Sequence, residues 1–336
     1  MTKLEKIKEI IREYQNGSDA DISVEDIIEG IDNVLTDDSE SYDREEQPIP
    51  SNFIIEDGTL IAFQETITEI TIPDGLKRIG EGAFKGCTNL ESVTLPESVT
   101  EIGEGAFKGC TNLESIILPE SLKSIAAYAF SDCISLKEIT LPDSVQTIAR
   151  HAFSDCENLE NINIPDSVKT IEQYVFLACG SLKSITLPDS VTEIGEGAFK
   201  SCTSLESVVF SDNVQSIGDK AFSYCHNLTE IKFPDSVKEI GKFAFEDCIS
   251  LKSVTIPDNV QSISAYAFTG CRSLKSVTIP DNVQSIGTFA FSGLGCRSLK
   301  SVSVPQKCDC DYAAFPRTCN VTRRNSEPQR SRELKV

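Results

Sequence analysis

Ten cysteines recur along the chain at one place in a repeating pattern: Cys87, Cys110, Cys133, Cys156, Cys179, Cys202, Cys225, Cys248, Cys271 and Cys296. Thiols in series could pair as disulfides or ligate a soft metal. Neighbouring strands of a sheet lie about 4.8 Å apart, so stacked repeats would bring successive thiols close together. Equivalent side chains all point one way, however, and form a line where zinc needs a tetrahedron. Beside the recurring Phe and Leu, each cysteine is expected to act as a small buried hydrophobe. Cys308, Cys310 and Cys319 stand outside the pattern in "CDCDYAAFPRTC". Their C-x-C-x8-C spacing suits a disulfide, a metal site, or small buried residues of an end cap.

Carboxylates form a second column: Asp74, Glu97, Glu120, Asp143, Asp166, Asp189, Asp212, Asp235, Asp258 and Asp281. Like charges about 5 Å apart in water repel by roughly 0.8 kcal/mol per pair, so something must offset the cost. Pro-Asp-Ser and Pro-Asp-Asn are good turn formers whose carboxylates can accept turn amides. A row of divalent cations or a basic partner is the alternative. The two histidines, His151 and His226, fall at non-equivalent repeat positions with no nucleophile, acid partner or metal-ligand spacing around them. Phosphate-binding glycine loops and zinc signatures do not occur. These observations argue against an enzyme, and no cofactor is implied.

The elements that carry these columns follow from a period of 23. Proline marks it from Pro73 through Pro96, Pro119, Pro142, Pro165 and Pro188, then Ser211 in its place, to Pro234, Pro257 and Pro280. Phenylalanine keeps the same beat from Phe84 to Phe291, and the beat slips once, where two extra residues precede Cys296. Each unit reads P-x-x-[VL]-x-x-I-x-x-x-A-F-x-x-C-x-x-L-x-x-[VI]-x-[LIF]. In "LESVTLP", Val93 and Leu95 alternate with Ser92 and Thr94, the period of a short strand. Pro96 ends it. "SVTEIGEGAF" then returns with Val99, Ile102, Ala106 and Phe107 inward, as extended or single-turn helical structure. A unit this short cannot bury its own apolar side; stacked units can, which makes a solenoid.

The units resemble the leucine-rich repeats of the BspA-like family, which read L-x-x-I-x-L-P-x-x-[LV]-x-x-I-x-x-x-A-F-x-x-C, over residues 68 to about 305. The resemblance implies a leucine-rich-repeat solenoid, a right-handed superhelix with a concave parallel β-sheet. It also implies non-enzymatic binding roles, often in adhesion at microbial surfaces. The expected binding face is the solvent side of the strands, with Ser92, Thr94, Thr140, Asn163, Thr186, Lys232, Thr255, Thr278 and Ser303 contacting a protein or glycan ligand. Ile117 and Val209 interrupt the outer of its two columns. A third column, before "AF", holds Tyr128, His151 and Tyr174, then Phe243, Tyr266 and Phe289. It suits half-buried packing, or an aromatic stripe for carbohydrate stacking or self-association.

The flanks differ in kind. Residues 1–35 place Leu4, Ile7, Ile11 and Tyr14, then Ile27, Ile28, Ile31 and Leu35, on two helical stripes. A short α-helical pair is therefore expected ahead of the solenoid, and it is the docking element if the protein is instead an intracellular interaction scaffold. Residues 36–52 read as an acidic linker, 53–305 as the solenoid with a degenerate first repeat, 306–324 as a C-terminal cap and 325–336 as a disordered tail. The net charge of −21 divides into −10 for residues 1–50, −14 for 51–305 and +3 for 306–336. So acidic a body repels nucleic acid and anionic membrane. Neither a signal peptide nor a stretch long enough to span a bilayer is apparent, which reads as cytoplasmic; the family resemblance points instead to the cell surface.

Overall fold

The computed structural model describes residues 53–63, 67–292, 296–311 and 313–325. The helical pair expected in 1–35, the linker at 36–52 and the tail beyond 325 lie outside the described residues. Within them the chain is a parallel β-solenoid around one continuous apolar core, from Phe53 to Phe315.

Three strips of hydrogen bonds run between the turns, and the two ladders among them are interrupted in places, the second between Thr147–Ile148 and Thr170–Ile171. The first is a ladder of short parallel strands at the alternating segment: Glu69–Thr71, Ser92–Thr94, Ser115–Ile117, Ser184–Thr186, Ser207–Val209, Ser253–Thr255 and Ser276–Thr278 carry three residues each. Successive turns pair at a register of 23, for example Ser92↔Ser115 and Thr255↔Thr278. The second ladder runs along the returning segment, where two-residue strands such as Glu101–Ile102, Ser124–Ile125 and Thr147–Ile148 stack in register. The returning segment was expected to be extended or single-turn helical, and the extended form is the one found.

The third strip, at A-F, is neither strand nor helix. Its amides divide by alternation: Gly82, Phe84 and Gly86 donate to Glu104, Ala106 and Lys108 of the next turn, while Ala83, Lys85 and Cys87 close turns on Gly80, Gly82 and Phe84. Two left-handed residues four apart make this possible, with φ of 61° at Gly82 and 73° at Gly86. Helix would need all amides to bond within the turn; half of them leave it, which is why a helical turn does not form.

The ends are closed differently. Phe53–Glu56 and Thr59–Phe63 form an antiparallel hairpin, and the second strand starts the two-residue ladder by pairing with Arg78–Ile79. At the other end Asp309–Cys310 continues that ladder, and Asn320–Arg324 continues the other by pairing with Ser301–Pro305.

The phenylalanines form a stack through the core. Rings from Phe84 to Phe315 follow one another at centroid distances of 5.0 to 5.8 Å, nearly parallel. Phe315, in the broken "AAFP" unit, takes the next place after Phe291 at 5.4 Å. The cysteines lie beside this stack and do more than fill space. Nine of them, Cys110 to Cys296, donate S–H bonds of 3.1 to 3.3 Å to the carbonyl of the phenylalanine one turn back. The same carbonyls accept the backbone N–H of their own turn's cysteine, as Phe84 does from Cys87 at 3.0 Å. Each thiol thus satisfies the second lone pair of a buried carbonyl, a need that hydrophobic patterning does not reveal. Despite the two extra residues, Cys296 still reaches Phe268 O at 3.3 Å.

Candidate binding face

The solvent side of the three-residue ladder is the face on which the candidate ligand residues meet. Thr140, Asn163, Thr186, Lys232, Thr255, Thr278 and Ser303 are exposed there, with Ser92 and Thr94 half-buried near the first turns. Their alternation with buried Val93, Ile185 and Val254 is the pleat itself.

These nine are not chemically equivalent. The hydroxyls of Thr94, Thr140, Thr186, Thr255 and Thr278 make no side-chain hydrogen bond among the described residues. Three others are engaged. The Asn163 amide takes both backbone groups of Leu141, accepting from its N–H and donating to its carbonyl at 2.8 Å each. Elsewhere a backbone carbonyl takes the corresponding amide, as Leu187 N–H does with Val209 O at 2.9 Å. Asn163 thus supplies from its side chain the acceptor that a backbone carbonyl supplies elsewhere. Lys232 lies 3.3 Å from Glu230, and Ser303 pairs with Thr322 of the last strand, where Arg324 bonds the Ser303 carbonyl at 2.7 Å.

The face is not flat. The ladder divides between Ser115–Ile117 and Glu138–Ile139, between Asn161–Ile162 and Ser184–Thr186, and after Ser207–Val209, beyond which Ile231 joins Val254 by one bridge. A depression of about 570 Å³ opens at the second of these places, between Glu138, Thr140, Asn161, Asn163, Asp166 and Thr186. A second, of about 440 Å³, lies between Glu230, Lys232, Asp235, Thr255 and Asp258. Beside the first, Lys183 pairs with Glu160 at 2.8 Å and holds that carboxyl below its ordinary value.

The edges of the solenoid use their polar groups internally. Serines after the Pro-Asp and Pro-Glu pairs donate to carbonyls one turn back: Ser121 to Val99, Ser144 to Leu122, Ser167 to Val145, Ser190 to Val168 and Ser236 to Val214. Asn213, Asn259 and Asn282 bond the carbonyls of Asp189, Asp235 and Asp258. Stitching between turns thus accompanies the exposed acidic column. Its last member, Asp281, receives Arg324 at 2.9 Å.

The aromatic column packs against itself. Tyr128, His151 and Tyr174 stack at 4.7 and 4.9 Å, and Phe243, Tyr266 and Phe289 at 4.6 and 5.3 Å. All six are left-handed, at φ of 55° to 61°. The outer face of Tyr128 carries the Lys108 ammonium at 4.9 Å. Tyr174 ends its stack on Gly197, where a Cβ would lie 2.3 Å from the ring. Sugar stacking needs a bare ring face, and this first stack presents edges. Burial and the neighbouring Arg150 lower the pKa of His151.

Burial pushes the column thiols up, Cys110 and Cys202 to about 12 and Cys296 to about 11. Thiols held neutral in this way neither attack nor ligate. Near the C-terminus, Cys308 and Cys310 are free, with sulfurs 3.6 Å apart, and Cys319 is free and half-buried. Among the described residues no three His, Cys, Asp or Glu side chains are grouped to hold a metal, and no helix is long and apolar enough to cross a membrane.

Comparison with known proteins agrees with the repeat geometry. A leucine-rich cell surface protein from Faecalibacterium prausnitzii is 27% identical, with 82% of this chain and 93% of that one covered and a TM-score of 0.52. The pneumococcal vaccine antigen PcpA, at 22% identity, 77% and 80% coverage and a TM-score of 0.53, shares the fold. A leucine-rich repeat protein from Bacteroides ovatus is 28% identical over 81% of this chain and 97% of its own, with a TM-score of 0.36. No curated protein matches the chain. Overlapping matches over residues 61–181, 100–228 and 192–322 correspond to the BspA type leucine rich repeat region, and the chain belongs to that family.

Proposed function

We propose that this protein is a non-enzymatic binding scaffold that recognises a protein or glycan partner on the solvent side of its three-residue ladder. One contrast carries the reading. Serines and asparagines at the edges are spent on bonds between turns, as at Ser190 and Asn259, whereas Thr140, Thr186, Thr255 and Thr278 on the face have unused hydroxyls. Hydroxyls recurring on one face, on adjacent turns at Thr255 and Thr278 and at intervals of two or three turns elsewhere, suit a ligand that extends along the solenoid. The similarity to a cell surface protein supports a role in adhesion, which would require the protein to be exposed outside the cell.

The test is a crosslinking capture from cells of the source organism, read by mass spectrometry. It compares the natural protein with a variant carrying Thr186→Lys, Thr255→Lys and Thr278→Lys together. These side chains are exposed, so the melting temperature should hold while capture of the partner falls. Full retention of the partner by the folded variant would move the site off this face. Fluorescence of surface-labelled intact cells separates adhesion from an internal role; exclusive internal staining would sink adhesion.

A further inference from the structure

The two most exposed large hydrophobic residues among those described lie on this same face: Ile117, 63% exposed, and Val209, 55% exposed. They end the strands Ser115–Ile117 and Ser207–Val209, in the column that reads Thr140, Asn163 and Thr186 between them. Four turns separate the two, on the order of 20 Å at the usual strand spacing, with the ladder interrupted twice between them. Between them lies the depression at the divided ladder, with carboxylates Glu138 and Asp166 in its lining and no cationic side chain there. Lys183, nearby, is paired with Glu160 at 2.8 Å.

We propose that the span from Ile117 to Val209 seats an extended basic polypeptide segment running along the solenoid, with an apolar side chain at each end. This rests on the face being the binding surface and names the chemistry of what binds there. An extended chain advances about 3.4 Å per residue, so residues i and i+6 stand about 20 Å apart. Even spacing also puts i, i+2, i+4 and i+6 on one side of the segment. The matching pattern is apolar-x-basic-x-basic-x-apolar. Its ends rest on Ile117 and Val209, and its two basic side chains point toward Glu138 and Asp166. Hydroxyls of Thr140 and Thr186, both free, are positioned to bond the peptide backbone. Branched aliphatic anchors lack the flat ring that a sugar stacks on, which favours polypeptide over glycan. The acidic body steers a basic segment toward the site and repels an acidic one.

Fluorescence anisotropy on the full chain tests this with a labelled peptide Leu-Ser-Lys-Ser-Arg-Ser-Leu. The first control has Glu in place of Lys and Arg, and the second has Ser in place of both Leu. The basic peptide should bind saturably, with Kd below about 1 mM, and should weaken with rising salt. Ile117→Ser and Val209→Ser should each weaken it about tenfold or more, and Asp166→Asn should flatten the salt dependence. Both anchors are exposed, so an unchanged melting temperature certifies the fold. Absence of saturable binding, equal binding of the acidic peptide, or indifference to both serine variants would overturn the proposal. A natural partner lost from the triple lysine variant but not displaced by the basic peptide would also overturn it, while leaving the face as the binding surface.

Discussion

The cysteine column should make this solenoid unusually sensitive to alkali. Nine thiols, Cys110 to Cys296, are buried and donate to phenylalanine carbonyls at 3.1 to 3.3 Å. Burial is the first cause of their raised pKa values: from an ordinary 9.0, Cys202 is held up to about 12, and Cys225 and Cys248 are shifted in the same direction. A thiolate there would also turn a lone pair toward a carbonyl oxygen where a proton now sits. The sign follows from linkage. The folded value exceeds the unfolded one, so the stabilisation is complete below about pH 9 and is lost as pH rises toward 12. Each thiol loses about 1.4 kcal/mol per pH unit in that window. Because an unfolded thiol with an ordinary value of 9.0 is only half ionised at pH 9, nine of them lose about 9 kcal/mol between pH 9 and 10, comparable to the whole stability of many domains. Urea unfolding in the presence of a reductant, at half-unit steps from pH 7.5 to 10.5, measures the effect. Stability should be nearly flat to pH 8.5 and then collapse, with recovery on return to pH 7.5. Cys202→Ala should reduce the steep slope by one thiol's share. A slope below about 3 kcal/mol per pH unit above pH 9.5 would show that the thiols ionise freely in the fold and refute the reasoning.

The core stack supplies a comparison by position. Phe199 is fully buried between Phe176 and Phe222, at 5.3 and 5.2 Å, whereas Phe315 has one stacked neighbour, Phe291. Phe199→Ala should cost about 3–5 kcal/mol, and Phe315→Ala roughly half; equal midpoints in urea would contradict the order. Because turns couple mainly to their neighbours, Phe199→Ala should also broaden or split the transition, which circular dichroism would detect. Asn163→Ala strands the N–H and carbonyl of Leu141, which is 1% exposed, at a cost of about 1–3 kcal/mol. Asn161→Ala, two residues away on the exposed face, should cost under about 0.5 kcal/mol; thermal melts of the pair decide whether the Asn163 side chain matters. Among thiols, half-buried Cys87, Cys310 and Cys319 should react with a thiol reagent in the native state before the ten buried ones, Cys308 included. Simultaneous modification of all thirteen would refute the burial order.

A period of 23 with fixed apolar positions was enough to establish a stack, since no single unit could hide Val99, Ile102, Ala106 and Phe107 alone. All four are buried. Alternation in "LESVTLP" likewise told which side chains of each strand face out, because the pleat has a period of two. The choice of the exposed face as the place to look for binding, and of threonines such as Thr255 on it, came from that alternation alone. The burial of the cysteines followed instead from their fixed place in the period of 23 beside Phe and Leu.

Tertiary structure decided what depends on how one turn meets the next. Nothing local in "AFKGC" tells that alternate amides leave their own turn for Glu104, Ala106 and Lys108, because the acceptors lie on a neighbour 22 residues away. The S–H bonds escaped the sequence reading for the same reason: the acceptor of Cys110 is Phe84 O, on the previous turn. Asn163, one more polar residue in a column, holds both backbone groups of Leu141 on the previous turn. Repetition determines which residues are stacked, since it is written along the chain. The partner of each hydrogen bond between turns, and the depressions left where those bonds are interrupted, are set by a second dimension that a single line of residues does not contain.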